Sequence, residues 1–357
     1  MKRGTSITKK DIVEGEIPVV SGGREPAYYC DKYNRDGETI TVAGSGAGAG
    51  YVQYWTKPIF VCDAFSIQGN PGIQTKYIYY FLTNIQDYIY STKKGGGVPH
   101  VHISSIENVS VPVPPLPVQR EIVRILDNFT ELTAELTAEL TARKKQYAYY
   151  RDKLLSTNNS SVPVVELRDI VKKSCSGATP AKGNAEYYEN GTIPWIRTQD
   201  VRFNEITEVN SYITEKAVSE TATKWIPENC VIVAISGATA GRCAINKIKA
   251  TTNQHCLNLI IDDSMALYRY VFHCLCSKYE ELISRKQGVR GDLNSSLILS
   301  LPISIPSLEV QKRLVEVLDN FDAICSDLKI GLPAEIEARQ KQYEYYRDKL
   351  LTFTPAD

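Results

Sequence analysis

Two loops rich in glycine and basic residues carry the clearest binding chemistry in this sequence. One runs from Lys93 to His100 as KKGGGVPH, and the other runs from Arg285 to Gly291 as RKQGVRG. Glycine leaves backbone amides accessible, while lysine, arginine and glutamine side chains bind phosphate oxygens and the edges of nucleobases. Each loop alone is better explained as a solvated surface turn. Their recurrence at matching places in two halves of the chain favours a binding role.

Motifs that would indicate catalysis are incomplete. A nucleotide-binding phosphate loop requires Gly-Lys-Ser/Thr, whereas Gly241 is followed by Arg242 and Cys243. Ser45 lies in Ala43-Gly44-Ser45-Gly46-Ala47, which lacks the first and last glycines of a hydrolase nucleophile elbow. We expect His100 and His102 to point to opposite faces of a strand, so that they do not converge on a metal. The Asp/Asn-Pro-Pro-aromatic stretch of adenine methyltransferases is also missing. The sequence predicts neither a catalytic residue nor a metal site.

The composition is that of an ordinary globular protein with no excess of positive charge. The chain has 357 residues, and its 41 lysines and arginines balance 41 aspartates and glutamates. A nucleic acid-binding protein that works alone is usually basic, so either the basic residues are segregated onto one surface or partners supply much of any phosphate contact. No apolar run approaches the ~20 residues of a membrane span. An odd number of scattered cysteines, nine in all, favours a reducing cytoplasm over a disulfide framework.

A repeated helical segment positions these loops. The stretch 117–155 and the stretch 309–351 share an LDNF block, at Leu126–Phe129 and Leu318–Phe321, and the ending YYRDKLL. Apolar residues recur at spacings of three and four, which predicts helices, and prolines precede each copy. The second copy is four residues longer between its matching blocks. Two such helices in one chain most simply pair with each other, through Leu126, Phe129, Leu136, Leu318 and Phe321.

The regions before the helices also match, weakly and in order. Ile17–Val20 resembles Ile193–Ile196, and the Ser45–Gly50 turn resembles Ser236–Gly241. Short strands, glycine-rich turns and one or two helices in each region predict an α+β fold. We therefore expect two similar domains, each followed by a long helix, with the helices packed as an antiparallel coiled coil of pseudo-two-fold symmetry. The predicted segments are 1–113, 114–158, 159–305, 306–352 and a tail at 353–357.

The first predicted domain is short at its start. The second domain opens with Val165–Val171, and the first has no matching strand. Loss of a strand uncovers a sheet edge, so we expect the first half to be the less stable one, or the chain to derive from a truncated or rearranged gene product.

These helices resemble the repeated regions of specificity subunits of type I restriction-modification systems, of the kind with TAEL repeats in the central helix. The residues that carry the resemblance are the LDNF blocks, the QYxYYRDKLL endings and the proline-rich entries PVPPLPVQREIVRIL and PISIPSLEVQKRLVEVL. Within the domains the resemblance is weaker, through Gly177–Pro180, Ile193–Ile196 and Asn253–Gln254.

The resemblance implies a non-catalytic subunit that recognises a bipartite target in double-stranded DNA, one part per domain. It implies assembly with two adenine-N6 methyltransferase subunits and with restriction/translocase subunits. S-adenosylmethionine and ATP are then expected in those partners, and no cofactor is expected in this chain. The alternative interpretation is a coiled-coil scaffold that binds only protein. A binding assay on duplex DNA, with and without methyltransferase subunits, separates the two.

Two sets of residues follow from this interpretation. The TAEL tandem is predicted to set the spacing between the recognition domains, through Thr133, Ala134, Glu135, Leu136, Thr137, Ala138, Glu139 and Leu140. The predicted DNA contacts are Lys93, Lys94, His100, Lys182, Arg197, Arg242, Arg285, Lys286 and Arg290.

Overall fold

The computed structural model describes residues 1–7, 13–95, 97–156, 161–286 and 292–353. They fall into two compact units, one made of 1–138 with 334–357 and the other of 139–333. Among the described residues no helix is both long and apolar enough to cross a membrane.

The first unit contains two small sheets and two short helices before the long helix. The elements are β1 (Lys2–Arg3), β2 (Ile17–Val20), β3 (Tyr28–Cys30), β4 (Thr39–Ala43), β5 (Val52–Trp55), β6 (Phe60–Val61), β7 (Ala64–Ile67), α1 (Thr75–Asn84), α2 (Gln86–Ser91) and α3 (Leu116–Leu154). One sheet has the strand order β1-β7-β4-β5 and the other β3-β2-β6. The completely buried strand β4 packs with α1 and α2, which buries Ile40, Val42 and Ile89 in one core.

The second unit repeats this plan with additions. The elements are β8 (Val164–Glu166), β9 (Val171–Ser176), β10 (Ile193–Ile196), β11 (Asn204–Ile206), β12 (Tyr212–Ile213), α4 (Glu215–Glu220), β13 (Trp225–Ile226), β14 (Val231–Ala234), β15 (Cys243–Asn246), β16 (Ala250–Thr252), β17 (Cys256–Ile261), α5 (Tyr268–Ser277), α6 (Tyr279–Ser284), α7 (Ser295–Leu299), β18 (Pro302–Ser304), α8 (Leu308–Ser326) and α9 (Leu332–Leu351), of which α9 belongs to the first unit from Ala334 onwards.

Corresponding strands have the same neighbours in both units. The order β9-β17-β14-β15 matches β1-β7-β4-β5, and β12-β10-β16 matches β3-β2-β6. In each second sheet the pairs β2/β6 and β10/β16 are parallel. The prediction of an α+β fold with similar halves is confirmed.

The strand β1 occupies the place where the sequence suggested a gap. It pairs with β7 through Arg3 and Phe65, as β9 pairs with β17 through Ser176 and Leu257. However, β1 has two residues where β9 has six. The pair β8/β18 has no counterpart among the described residues of the first unit. The first unit therefore keeps this edge strand in a shortened form.

Helix α3 runs without interruption through 39 residues and contributes to both units. In the first unit its beginning packs against α9, where Leu126 and Leu351 share a core and Phe129 stacks on Tyr346 at 5.5 Å. In the second unit its end packs against α8, where Tyr150 lies 6.3 Å from Phe321. In each unit, later residues of α3 meet earlier residues of the partner helix, as antiparallel pairing requires.

The middle of α3 is more exposed. Leu136 is only half-buried, and the hydroxyls of Thr133 and Thr137 donate hydrogen bonds to the carbonyls four residues earlier, at 2.8 and 2.7 Å. Such bonding satisfies the hydroxyl inside the helix, so that threonine is accommodated in the TAEL tandem.

The distal segment differs from the single helix predicted for 306–352, because it is broken between α8 and α9. The Asp327 carboxylate accepts hydrogen bonds from the amides of Lys329 and Ile330, at 2.6 and 3.1 Å. A Cβ on Gly331 would lie 2.5 Å from the Ala323 carbonyl oxygen, so only glycine fits there. Aspartate that bonds to nearby amides competes with helix formation, and Pro333 is compatible only with the start of a helix. The break falls within the longer spacing of the second copy.

A buried glutamine joins the sheet-containing domain to the long helical segment in each unit. In the first unit, Gln119 is fully buried. Its Oε1 accepts from the Gln74 amide at 2.9 Å, and its Nε2 donates to the carbonyls of Pro114 at 2.8 Å and Gly72 at 3.2 Å. The Gln74 amide lies just before α1, where helical amides lack partners. One carboxamide thus fixes the start of α1, the proline-rich entry and α3 together.

The same bonds recur in the second unit. Gln311 is also fully buried, accepts from the Leu267 amide at 2.9 Å and donates to the carbonyls of Pro306 and Met265 at 2.8 and 3.1 Å. The glutamine that aligns in the two copies therefore has one structural role.

The aspartate of each LDNF block forms a second link. Asp127 binds Lys76 at 2.8 Å and accepts from the Tyr80 hydroxyl at 2.5 Å. In the second unit, Asp319 binds Arg269 at 2.8 Å and accepts from His273 Nε2 at 2.7 Å. Each pair connects the helix that follows the sheets with the long helical segment.

The environment of Asp319 holds it ionised. Burial alone would raise the pKa of this carboxyl, but hydrogen bonds from His273 and Arg269 outweigh that effect, and its pKa lies below the ordinary value. The nearby Asp322 forms no ion pair among the described residues, and burial raises its pKa. The link is therefore made by the aspartate whose carboxyl is the more acidic of the two.

We predict that Gln119→Leu lowers the free energy of unfolding by about 1–3 kcal/mol, because the Gln74 amide and the Pro114 carbonyl would stay buried without partners. Equilibrium urea denaturation of the full chain measures the change. Gln340→Leu is the matched control, since Gln340 is exposed on α9 and should change stability by less than about 0.5 kcal/mol. Equal effects of the two substitutions would contradict the assigned role of Gln119.

Candidate nucleic-acid interface

The second unit contains an open cleft at the ends of β10 and β16. Its volume is about 590 Å³. Segments distant in sequence form its walls, and the lining residues are Thr179, Lys182, Tyr188, Trp195, Arg197, Asn210, Ser211, Tyr212, Asn253, Gln254 and His255. Aromatic rings and amide groups alternate with cations on this surface.

The charge of the cleft is positive. Its described lining residues include Lys182 and Arg197 but neither aspartate nor glutamate. Among the described residues, neither Lys182 nor Arg197 forms an ion pair within 4.0 Å. In a chain of formal charge zero, this is a local concentration of unpaired positive charge. Such a surface suits a polyanion.

The floor of the cleft is rigidly built. Trp195 is 6% exposed, and its indole nitrogen donates to the Ala178 carbonyl at 3.1 Å. The Tyr188 ring meets the indole edge-on at 6.1 Å, while its hydroxyl donates to the Pro180 carbonyl at 2.5 Å. The sequence motifs Gly177–Pro180 and Ile193–Ile196 therefore meet in space. They form one platform of backbone and aromatic groups.

A turn between β16 and β17 supplies a polar wall. The Gln254 side chain accepts from the Thr179 hydroxyl and lies 3.2 Å from His255 Nε2. In both units the first residue of the turn donates its amide to the neighbouring parallel strand, from Asn253 here and from Cys62 in the first unit. At the other end of the turn, the His255 carbonyl accepts from the Ile235 amide, and in the first unit the Asp63 carbonyl accepts from the Gly44 amide. The second unit has one residue more between these bonds, which is Gln254.

The first unit has a smaller cavity at another place in its frame, beside β1, β7 and the segment 100–104. Its volume is about 260 Å³, and Arg3, Asp63, His100 and His102 are among its lining residues. The Asp63 carboxylate accepts a hydrogen bond from Ser45. The cavities therefore differ in chemistry, because a carboxylate lines the first, whereas two cations and several amide side chains without a carboxylate are the described lining of the second.

The two histidines were expected on opposite faces, and this expectation is wrong. The His100 and His102 rings stack at 6.1 Å with an angle of 10° between their planes. Residues two apart in an extended segment share a face, which explains the stacking. Groups of three or more histidine, cysteine or acidic side chains able to hold a metal are absent from the described residues.

The predicted cations of the first glycine-basic loop lie close to its stem. The Lys93 ammonium lies 4.3 Å from the centre of the Tyr90 ring, a cation–π contact. Lys94 and His100 exchange backbone hydrogen bonds of 2.8 and 2.9 Å, which close the loop.

The second glycine-basic loop is described only at its beginning. Arg285 forms an ion pair with Glu281, and the Lys286 amide donates to the Ile283 carbonyl at 3.3 Å. Arg290 lies outside the described residues. Arg242 is half-buried directly before β15.

Of the predicted contacts, the structure brings Lys182 and Arg197 together in the large cleft. It also adds residues that sequence reasoning did not assign as contacts, namely Trp195, Tyr188, Tyr212 and Gln254. Two of them belong to motifs visible in the sequence, Ile193–Ile196 and Asn253–Gln254. The signal was present there, but nothing in the spacing indicated that the motifs converge.

Known proteins match this chain along most of its length. The profile of the type I restriction modification DNA specificity domain matches residues 1–143 and 159–338. The type I restriction enzyme EcoR124I/EcoR124II specificity subunit of Escherichia coli is 39% identical over 291 residues, which cover 78% of this chain and 70% of that protein. A Haemophilus influenzae protein described as a type I restriction enzyme specificity subunit is 29% identical over 362 residues, covering 96% and 89% of the two chains.

The fold has a solved counterpart. The crystal structure of the type I restriction-modification system S subunit from M. genitalium superposes with a TM-score of 0.63 at 18% identity, covering 99% of this chain and 94% of that one. At that identity the likeness concerns the fold. Taken with the profile match across both halves, it shows that the chain belongs to the family of DNA specificity subunits of type I restriction-modification systems.

Proposed function

We propose that this chain, a non-catalytic DNA-recognition subunit by family, reads a bipartite target in double-stranded DNA, with one half-site for each recognition domain. The observation that carries the proposal is the repeated anchoring: Gln119 and Gln311, with Asp127 and Asp319, fix a domain to a helix in the same way twice. Two equivalent frames that present different cavities suit two half-sites of different sequence.

The cleft of the second unit supports DNA as the ligand. Phosphate contacts come from arginine, lysine, asparagine, glutamine and tyrosine side chains, all of which line it. A scaffold that binds only protein has no requirement for a carboxylate-free cationic cleft. Because the net charge of the chain is zero, partner subunits would add phosphate contacts.

A repeated surface on the helices supports docking of the same partner twice. In the second unit, Tyr149 is 60% exposed, Tyr150 is 41% exposed, and the Lys153 ammonium lies 5.8 Å from the Tyr149 ring. We call these three residues and their counterparts Tyr345, Tyr346 and Lys349 the tyrosine patches.

The counterpart patch has the same geometry. Tyr345 is 60% exposed, Tyr346 is 42% exposed, and Lys349 lies 5.7 Å from the Tyr345 ring. Burial does not explain why exposed side chains are identical in both copies. Exposed tyrosines are frequent anchors of protein interfaces. We assign each patch to one methyltransferase subunit.

The chemistry then lies in the partners. Methyl transfer to adenine N6 would use S-adenosylmethionine held by the methyltransferase subunits, and restriction would use ATP in the restriction/translocase subunits. This chain would position those partners relative to its DNA site.

We predict that exchanging residues 159–305 for the corresponding domain of a relative changes one half of the methylated sequence and leaves the other half intact. The anchors at Gln311 and Asp319 lie outside the exchanged segment and would receive the new domain. Sequencing of methylated sites in cells that carry the hybrid measures the outcome. A change in both halves, or in neither, would contradict independent reading.

We predict that deleting Thr137–Leu140 shortens the unspecified gap between half-sites by one or two base pairs. Four residues correspond to about 6 Å of helix and to a rotation of only about 40°, so the apolar face is nearly preserved. The axial distance per base pair is ~3.4 Å. Mapping of methylated sites tests this. If both half-sites are still recognised across an unchanged gap, the helix does not measure the distance.

We predict that Tyr149→Ala and Tyr345→Ala each remove one bound methyltransferase subunit, and that the double substitution removes both. Truncating a central aromatic anchor typically costs 2 kcal/mol or more of binding energy. Native mass spectrometry of the assembled complex reports the stoichiometry. Tyr33→Ala, at a tyrosine that is 57% exposed outside the patches, is the matched control. Unchanged stoichiometry at concentrations near the dissociation constant would remove this assignment.

A further inference from the structure

Arg197 occupies an unusual position in the cleft of the second unit. It follows directly after β10, and its guanidinium carbon lies 5.7 Å from the centre of the Trp195 ring, two residues earlier on the same face. Trp195 is itself fixed by its bond to Ala178 and by the Tyr188 ring. Stacking on a fixed aromatic ring restricts the orientation of the planar guanidinium.

The guanidinium lacks acceptors within the described part of the chain. Its Nε is buried and has no hydrogen-bond partner there. The nearest carboxylate in sequence, Asp200, is used by the backbone, because its Oδ2 accepts from the Arg197 amide at 2.8 Å. The buried Nε is closed to a ligand, but Arg197 is only half-buried and lines the cleft, so the terminal amino groups of its fork are suited to a ligand that supplies acceptors.

The other polar groups of the cleft differ from Arg197 in their hydrogen bonds and in their place in the sequence motifs. Thr179, Trp195 and Gln254 belong to the motifs through which the chain resembles its family, and they bond to one another or to the backbone. Residues shared among domains of different specificity cannot distinguish their targets. Lys182 is exposed on a loop and carries a point charge, which suits a phosphate. Arg197 lies directly after the Ile193–Ile196 motif, and unlike Thr179 and Gln254 its side chain forms no hydrogen bond among the described residues.

We propose that Arg197 reads a guanine in the half-site of the second recognition domain, an inference that rests on the proposed function. Guanine presents two acceptors, O6 and N7, side by side in the major groove. The fork of an arginine guanidinium matches them with two parallel hydrogen bonds, whereas lysine cannot reproduce that pairing. The aromatic floor would hold the fork edge-on to the groove.

The experiment uses the full chain assembled with its methyltransferase subunits and a set of duplexes in which each base pair of the target is replaced in turn. For Arg197→Lys, we expect discrimination at one G·C pair of the second half-site to fall roughly 5- to 150-fold. Binding to random duplex and its salt dependence should stay the same, because the positive charge is retained. Arg197→Gln should shift preference at that position from guanine towards adenine.

Lys182→Gln is the control. It should weaken binding uniformly across sequences and reduce the salt slope by about one unit. Thermal unfolding of each variant establishes that the domain is intact, and Arg197→Lys preserves size and charge if Arg197→Gln does not fold.

The inference is overturned if Arg197→Lys keeps discrimination at every position. It is also overturned if Arg197→Lys and Arg197→Gln weaken all duplexes equally, since that pattern identifies a phosphate contact. A wild-type complex without sequence preference would instead contradict the proposed function itself, so the two failures are distinguishable.

Discussion

The buried carboxamides of Gln119 and Gln311 are the interactions on which the arrangement of each unit depends. Each of these glutamines accepts one hydrogen bond through its carboxamide oxygen and donates two through its nitrogen. They satisfy the amide before a helix and two backbone carbonyls from one buried side chain. The aspartate links then fix the rotation of the domain on its helix. Because these bonds involve only the base of each domain, they do not constrain which residues lie on the distant surface.

This lack of constraint explains how two units with the same strand order present different surfaces. The first unit has a cavity with Asp63 and two imidazoles beside β1 and β7, whereas the second has a cleft with cations, an extra glutamine and an indole platform at the ends of β10 and β16. The charged groups lie outside the buried cores, which are built mainly from aliphatic residues such as Ile40, Val42, Val231 and Leu259, whereas Trp195 also packs in a core with Ile193 and Ile213. The chemistry of the cavities can therefore differ while strand order and register stay the same.

The sequence predicts the long helices, the repeat and the fold class, because periodic apolar residues and duplicated blocks are local signals. It does not predict the break at Asp327–Gly331, where the Asp327 carboxylate accepts hydrogen bonds from two nearby amides and overcomes a helical pattern. Nor does it predict the cleft, since Thr179, Trp195 and Gln254 become neighbours only through the strand order β12-β10-β16. Lys182 and Arg197 were identified as cations, but their lack of partners is a property of the folded chain. The sequence aligns Gln119 with Gln311, but their structural role follows only from their hydrogen-bond partners in the folded chain.

The aspartate links differ in one detail that bears on how such proteins evolve. Asp127 is met by a lysine and a tyrosine, and Asp319 by an arginine and a histidine. The helix side of the joint is constant, whereas the domain side must only offer one cation and one further donor a helical turn away. Because this joint accepts different side chains on the domain side, domains of different sequence can be joined to the same helix. Exchange of a domain sequence at the helix then requires no compensating change on the helix side of this joint.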